Sequence, residues 1–127
     1  MEGLPKVSMP RLVQITAVMV FTLAAALARG PALADMDPSQ IRAANLARMQ
    51  AERINGGLNR YFTANCMHQR GGGRCMLNND SNGYLFEFLG GPPGWEVTKQ
   101  AATVETRILI SPDGTQVLKV EYNGAPR

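Results

Sequence analysis

The sequence is poor in the residues that most often carry chemistry. It has one histidine, His68, and two cysteines, Cys66 and Cys75, among 127 residues. A structural zinc site takes four ligands, so these three residues are too few to complete one. A thioredoxin-like redox motif needs two residues between its cysteines, whereas eight separate these two. The chain also has no serine in a nucleophile-elbow sequence, which argues against a hydrolase.

The sequence also lacks a cluster of basic residues. Its 13 Lys and Arg and 10 Asp and Glu give a formal net charge of +3. Three of the basic residues and one acidic residue precede Asp35, so residues 35–127 carry a net charge of +1. Because the basic side chains are scattered, the electrostatic footprint of a nucleic-acid-binding protein is absent. We therefore expect no nucleic-acid partner.

The first 34 residues contain the three parts of a secretory signal peptide in the expected order. Lys6 and Arg11 supply a positive region, and an uncharged apolar run of 13 residues follows at Ile15–Leu27. Small residues at Ala32 and Ala34 then suit cleavage before Asp35. A membrane-spanning helix needs about 20 apolar residues, which disfavours a signal anchor.

We therefore predict a signal peptide at residues 1–34 and a small exported domain at residues 35–127. Cleavage after Ala28 and a translation start at Met9 are alternatives within the same interpretation. The domain is expected in a periplasmic, lumenal or extracellular compartment. After cleavage it would have no stable membrane insertion.

Residues 35–127 predict an α+β domain, with one N-terminal helix packed on an antiparallel meander of about four strands. Asp37 is placed to cap the helix, Pro38 to begin it and Gln40 to complete a capping box. The sequence Asn-Gly-Gly at 55–57 is placed to end it. The expected apolar face consists of Ala43, Ala44, Ala47, Ala51 and Ile54.

Alternation of apolar and polar residues along the rest of the chain predicts strands with one buried face. The predicted strands are 58–62, 84–89, 103–111 and 115–122. The predicted turns are 78–83, 90–94 and 111–114. In the last strand we expect Leu118, Val120 and Tyr122 to share the core face.

The stretch Asn65–Met76, NCMHQRGGGRCM, holds both cysteines and the histidine. A small exported domain often supplements its limited core with a disulfide, so we predict a bond between Cys66 and Cys75. Closing this loop would stabilise the domain by about 2.5–3 kcal/mol in the chain-entropy model. The alternative is a copper site, because soft and imidazole ligands suit Cu(I). Its ligands would come from Cys66, Met67, His68, Cys75 and Met76.

The stretch Gly90–Trp95, GGPPGW, is the second unusual segment. Pro92 and Pro93 stiffen a turn, and a rigid aromatic side chain at a loop tip is typical of binding surfaces. We therefore predict an interaction loop formed by Pro92, Pro93 and Trp95. The alternative is that Trp95 begins a strand and closes one end of the core, since tryptophan is highly buried on average.

The order of a helix followed by a meander is similar in layout to cystatin-like protease inhibitors. Their Q-x-V-x-G loop is absent here, so the likeness implies nothing about activity. The sequence predicts a non-enzymatic module without a cofactor, which binds an unknown protein or small ligand through its loops. A copper-binding protein and a small hydrolase with His68 as base are the alternatives.

Overall fold

The computed structural model of the protein describes Gly3 and residues 35–127. The predicted signal peptide at 1–34 therefore falls outside the described residues, except for Gly3. The elements are α1 (Pro38–Ile54), β1 (Phe62–Thr63), β2 (Met76–Asp80), β3 (Gly83–Gly91), β4 (Val104–Ile110) and β5 (Val117–Gly124). Two short 3-10 helical segments, Asn65–His68 and Arg70–Cys75, connect β1 to β2. The predicted α+β class is confirmed.

Helix α1 begins as the sequence predicts. The Asp37 carboxylate accepts a hydrogen bond from the backbone N–H of Ser39 at 2.8 Å, and Pro38 is the first helical residue. The capping-box prediction for Gln40 is wrong. Its Nε2 donates to the Gly71 carbonyl at 3.2 Å, because a glycine-rich loop packs against this part of the helix.

The alanine face of α1 packs on the sheet. Its four alanines, Ala43, Ala44, Ala47 and Ala51, are buried in the same cluster as the aromatic and aliphatic residues of the strands. The prediction that Ile54 shares this face is wrong, because Ile54 is the last residue of the helix and is exposed. None of the helices within residues 35–127 combines the length and the apolar content needed to cross a bilayer.

The sheet has five antiparallel strands rather than about four. Strands β3, β4 and β5 are successive neighbours, and both β1 and β2 pair with the free edge of β3. The strand that the sequence missed is β2, whose residues 78–80 were predicted as a turn. Asn78, Asn79 and Asp80 are all exposed at the edge, so no apolar alternation marks them.

The first predicted strand is mostly wrong. Only Phe62 and Thr63 pair with β3. The preceding residues form a turn instead, in which the backbone N–H groups of Arg60 and Tyr61 both donate to the Gly57 carbonyl at 3.0 Å. Tight glycine turns therefore replace strand pairing over residues 57–61.

Strands β3 and β4 carry the core face that their alternation predicts. Tyr84, Phe86 and Phe88 are buried opposite Ile110, Ile108 and Thr106. In β5 the prediction that Leu118, Val120 and Tyr122 share the core face is right for Val120 and wrong for Leu118. The pairing with β4 shifts twice, so Val117 and Val120 pack against the core while Leu118 is 49% exposed. Each bulge adds an unpaired residue and reverses the alternation.

The predicted turn at 111–114 joins β4 to β5. The Gly114 N–H donates to the Ser111 carbonyl at 2.9 Å. Oδ1 of Asp113 accepts hydrogen bonds from the Ser111 hydroxyl at 2.6 Å and the Thr115 hydroxyl at 2.8 Å. These hydrogen bonds favour the charged carboxylate and lower the pKa of Asp113 to about 2.

Candidate functional site

The cysteines of Asn65–Met76 serve the fold. Cys66 and Cys75 form a disulfide with their Cα atoms 5.7 Å apart, so the predicted bond is confirmed. Both residues are buried. The bond ties the segment that follows β1 to the residue that precedes β2. Because both sulfurs are bonded to each other, neither is a thiolate ligand, and the copper hypothesis loses two of its five residues.

The glycines of the same loop close over the core. Gly72 has φ of +81°, a conformation that L side chains rarely adopt. A Cβ atom at Gly72 would lie 2.6 Å from Cε1 of Phe86 and 3.4 Å from Cβ of Ala44. The loop therefore needs glycine here both for its backbone conformation and for its close approach to the core.

The other members of the predicted copper set lie in different environments. Met67 is buried in the core, Met76 is partly buried against it, and His68 is exposed. Within residues 35–127, no three His, Cys, Asp or Glu side chains come together as a group that could hold a metal ion.

His68 is instead attached to β1 by two contacts. Its ring stacks on Phe62 with centroids 4.6 Å apart and planes 9° from parallel. Its Nε2 lies 3.0 Å from the Thr63 hydroxyl oxygen. Partial burial of the ring lowers the pKa of His68, and the Arg48 guanidinium lowers it further. These effects outweigh the opposing carboxylates of Glu52 and Glu96, so the neutral ring predominates at neutral pH.

The 3.0 Å between the Thr63 hydroxyl oxygen and His68 Nε2 is the hydrogen-bonding distance expected between a nucleophile and its general base. Thr63 is buried, however, and among the described residues no carboxylate accepts a hydrogen bond from the His68 ring. A nucleophile must be reached by substrate, and its base is normally oriented by a third group. The geometry therefore supports a positioning role for His68 against Phe62.

Trp95 lies in the turn after β3 rather than at the start of a strand. Its side chain is 8% exposed, and its Nε1 donates to the Phe62 carbonyl at 2.9 Å. The ring also lies close to Gly91, where a Cβ atom would be 2.9 Å from Cγ of Trp95. Trp95 therefore closes one end of the core, as the alternative interpretation predicted, and fixes the turn to β1. Pro92 and Pro93 are exposed in the same turn.

A groove of about 440 Å³ lies between β1 and the turn that carries Trp95. We call it the apolar groove; its apolar lining consists of Leu58, Phe62, Pro93, Trp95 and Val97. Leu58 is 55% exposed, Phe62 39% and Val97 88%. The groove therefore has a buried aromatic base and strongly exposed aliphatic and aromatic sides.

The polar side of the apolar groove is formed by Thr63, Asn65 and Glu96. Both carboxylate oxygens of Glu96 lie 3.2 Å from the backbone N of Asn65. Asn65 is the first residue of a 3-10 helical segment, so its N–H has no partner within that segment. Glu96 thus holds this segment beside the turn and places a charge at the edge of the groove.

The predicted interaction loop is only partly in the groove. Pro93 and Trp95 line it, whereas Pro92 does not. Sequence reasoning missed Leu58, Val97 and Glu96. The signal that could have found Leu58 and Val97 is an apolar residue within a turn sequence, as in Asn-Gly-Gly-Leu and Pro-Gly-Trp-Glu-Val, where no strand or helix period accounts for it.

The apolar groove can bury an apolar group and offer it hydrogen-bonding and charged groups on one side. It presents no exposed nucleophile among its lining residues. Comparison with protein families, with curated proteins and with solved structures finds no match for this chain.

Proposed function

We propose that residues 35–127 are a non-enzymatic binding module, and that the apolar groove holds an apolar segment of a partner protein. The observation that carries the proposal is the exposure of Leu58, Phe62 and Val97 around one groove. Scattered exposed apolar residues are normal, but a group of them rimmed by polar residues is typical of interaction sites. Burying these three side chains supplies the hydrophobic part of the binding free energy.

A protein segment suits the groove better than a small molecule does. Sites for small molecules enclose most of the ligand surface. Here the side chains around the opening are themselves exposed, so a ligand that covers them must extend beyond the groove. An extended polypeptide segment has that length.

The rigidity of the groove also supports binding. Phe62 stacks on His68, and its carbonyl accepts a hydrogen bond from Trp95. Pro93 has a fixed φ, which limits the motion of the opposite side. A surface already held in its binding conformation loses little entropy when a partner arrives.

A selection from a random peptide library displayed on phage tests the proposal, with the full chain as the immobilised target. We expect enriched peptides to bind the wild type and to lose binding to the double variant Leu58→Ser, Val97→Ser. The matched control is Leu77→Ser, Leu118→Ser, which removes two exposed leucines outside the groove lining. Peptides that bind all three proteins equally, or an absence of enriched peptides, would contradict the proposal.

We also propose that the module acts outside the cytoplasm after removal of residues 1–34. The order of charged, apolar and small residues before Asp35 supports this, as does the disulfide, since such bonds persist in oxidising compartments. N-terminal sequencing of protein from the exported fraction should find Asp35, or Arg29 for the alternative cut. An intact Met1 or Met9 terminus in the membrane fraction would contradict this proposal.

A further inference from the structure

The five glutamates of residues 35–127 differ in whether they form an ion pair. Four of the five form an ion pair with an arginine. The pairs are Glu52 with Arg48, Glu87 and Glu121 with Arg107, and Glu105 with Arg127. Glu96 forms no ion pair with any described basic residue, and it is the only charged residue that lines the apolar groove.

Within residues 35–127, no basic side chain pairs with Glu96 to neutralise its charge. The one hydrogen-bond donor to its side chain in this part of the chain is the backbone N–H of Asn65, which carries no formal charge. His68, whose ring stacks on Phe62 of the groove lining, is neutral at neutral pH for the reasons given above. Lys99 lies only three residues along the chain, yet its side chain makes no ion pair with Glu96. A carboxylate that accepts one shared N–H keeps acceptor capacity for a further donor.

We infer that the partner segment carries a lysine or arginine beside the apolar side chain that fills the apolar groove, and that this cation pairs with Glu96. This inference deepens the proposed function and rests on it. An apolar side chain would bury against Leu58 and Val97, while the neighbouring cation would reach the one charged edge. Complementary charge of this kind contributes mainly to specificity and to the rate of association.

The variant Glu96→Gln tests this pairing cleanly. A glutamine oxygen can still accept the Asn65 N–H, so the 3-10 helical segment keeps its hydrogen bond while the charge is removed. The matched control is Glu121→Gln, which removes a glutamate charge outside the apolar groove. Both variants are exposed surface changes, and we expect both to fold.

The experiment uses the peptides that depend on Leu58 and Val97 in the selection described above. We expect them to be enriched in Lys or Arg next to an apolar residue, and to bind Glu96→Gln about three- to tenfold more weakly than the wild type. Their binding to Glu121→Gln should be unchanged. Raising the ionic strength should weaken binding to the wild type more than binding to Glu96→Gln, because salt screens the pair.

Failure of the inferred pairing with Glu96 can be distinguished from failure of the proposed function. Groove-dependent peptides without basic residues, or with equal affinity for the wild type and Glu96→Gln, would overturn the inference while the proposed function stands. An absence of any groove-dependent peptide would overturn both.

Discussion

The loop from Asn65 to Met76 and the apolar groove share Asn65 but otherwise contain different kinds of residue. The loop contains two cysteines, a histidine and two methionines, the residue types most often found in metal and redox sites. The apolar lining of the groove is leucine, phenylalanine, proline, tryptophan and valine. In the fold, the cysteines and Met67 of the loop are buried, whereas Leu58, Phe62 and Val97 of the groove are exposed.

The comparison teaches that exposure, rather than reactivity, identifies the candidate site here. Cysteine and methionine are also good core residues, since both are small or flexible and largely apolar. A valine that is almost fully exposed in a turn has no such use in the core. The two regions should therefore respond in opposite ways to substitution: the loop through stability and the groove through binding.

Of the two regions, the loop is expected to show the larger effect on stability. Replacing Cys66 and Cys75 together by serine should lower the free energy of unfolding by about 2–4 kcal/mol, because the unfolded chain regains the freedom of the closed loop. Denaturant melts measure this, and wild-type protein melted with a thiol reductant is the control. A decrease in the free energy of unfolding below about 0.5 kcal/mol is typical of a surface substitution. It would contradict the expected difference in stability between the loop and the apolar groove.

The next effect separates backbone conformation from packing at Gly72. Gly72→Ala should destabilise the protein by about 1–3 kcal/mol more than Gly57→Ala, because its Cβ would collide with Phe86. Gly57 has a similar φ of +84°, but a Cβ there meets nothing within 4 Å, so it reports the backbone cost alone. Equal losses in the two melts would show that the loop yields and does not close on the core.

A smaller effect is expected at Trp95, the buried residue of the apolar groove. Trp95→Phe keeps an aromatic side chain but removes the N–H that binds the Phe62 carbonyl, and should cost about 0.5–1.5 kcal/mol. Denaturant melts give the value, and Phe88→Leu provides a reference for a change in core shape. If Trp95→Phe is as stable as the wild type, the hydrogen bond to β1 does not fix the turn.

The smallest stability effect is expected in the groove. Val97→Ser should change the free energy of unfolding by no more than about 0.5 kcal/mol, because the side chain is mostly exposed. Ile108→Ala, in the fully buried core, should cost about 2–5 kcal/mol in the same melts. A destabilisation at Val97 comparable to that at Ile108 would mean that this side chain supports the fold.

Local patterns in the sequence were enough to predict α1, β3, β4 and the disulfide. Asp37 and the alanine face define the helix, and strict alternation from Tyr84 to Phe88 defines a strand with one buried side. The bulges of β5 could not be predicted, because they depend on pairing with β4 rather than on the sequence of β5 alone. Residues 78–80 of β2 are polar and exposed at an edge of the sheet, where packing imposes no alternation of apolar and polar residues.

The candidate site was less predictable than the fold. Pro93 and Trp95 were predictable because two prolines followed closely by the only tryptophan form an unusual sequence. Leu58 and Val97 are common residues, and only the fold brings them to the same groove. The role proposed for Glu96 depends on which glutamates pair with an arginine. Three of the four pairs join residues that are distant in the sequence, so the fold decides them.

Trp95 is the only tryptophan of the chain, and it lines the apolar groove. Indole emission depends on the polarity and hydration around the ring, and here it arises from this one position. A partner that covers the groove would change the polarity around the indole and shift the fluorescence of the protein. The wild-type chain therefore carries its own optical probe, which can follow partner binding in solution without a label.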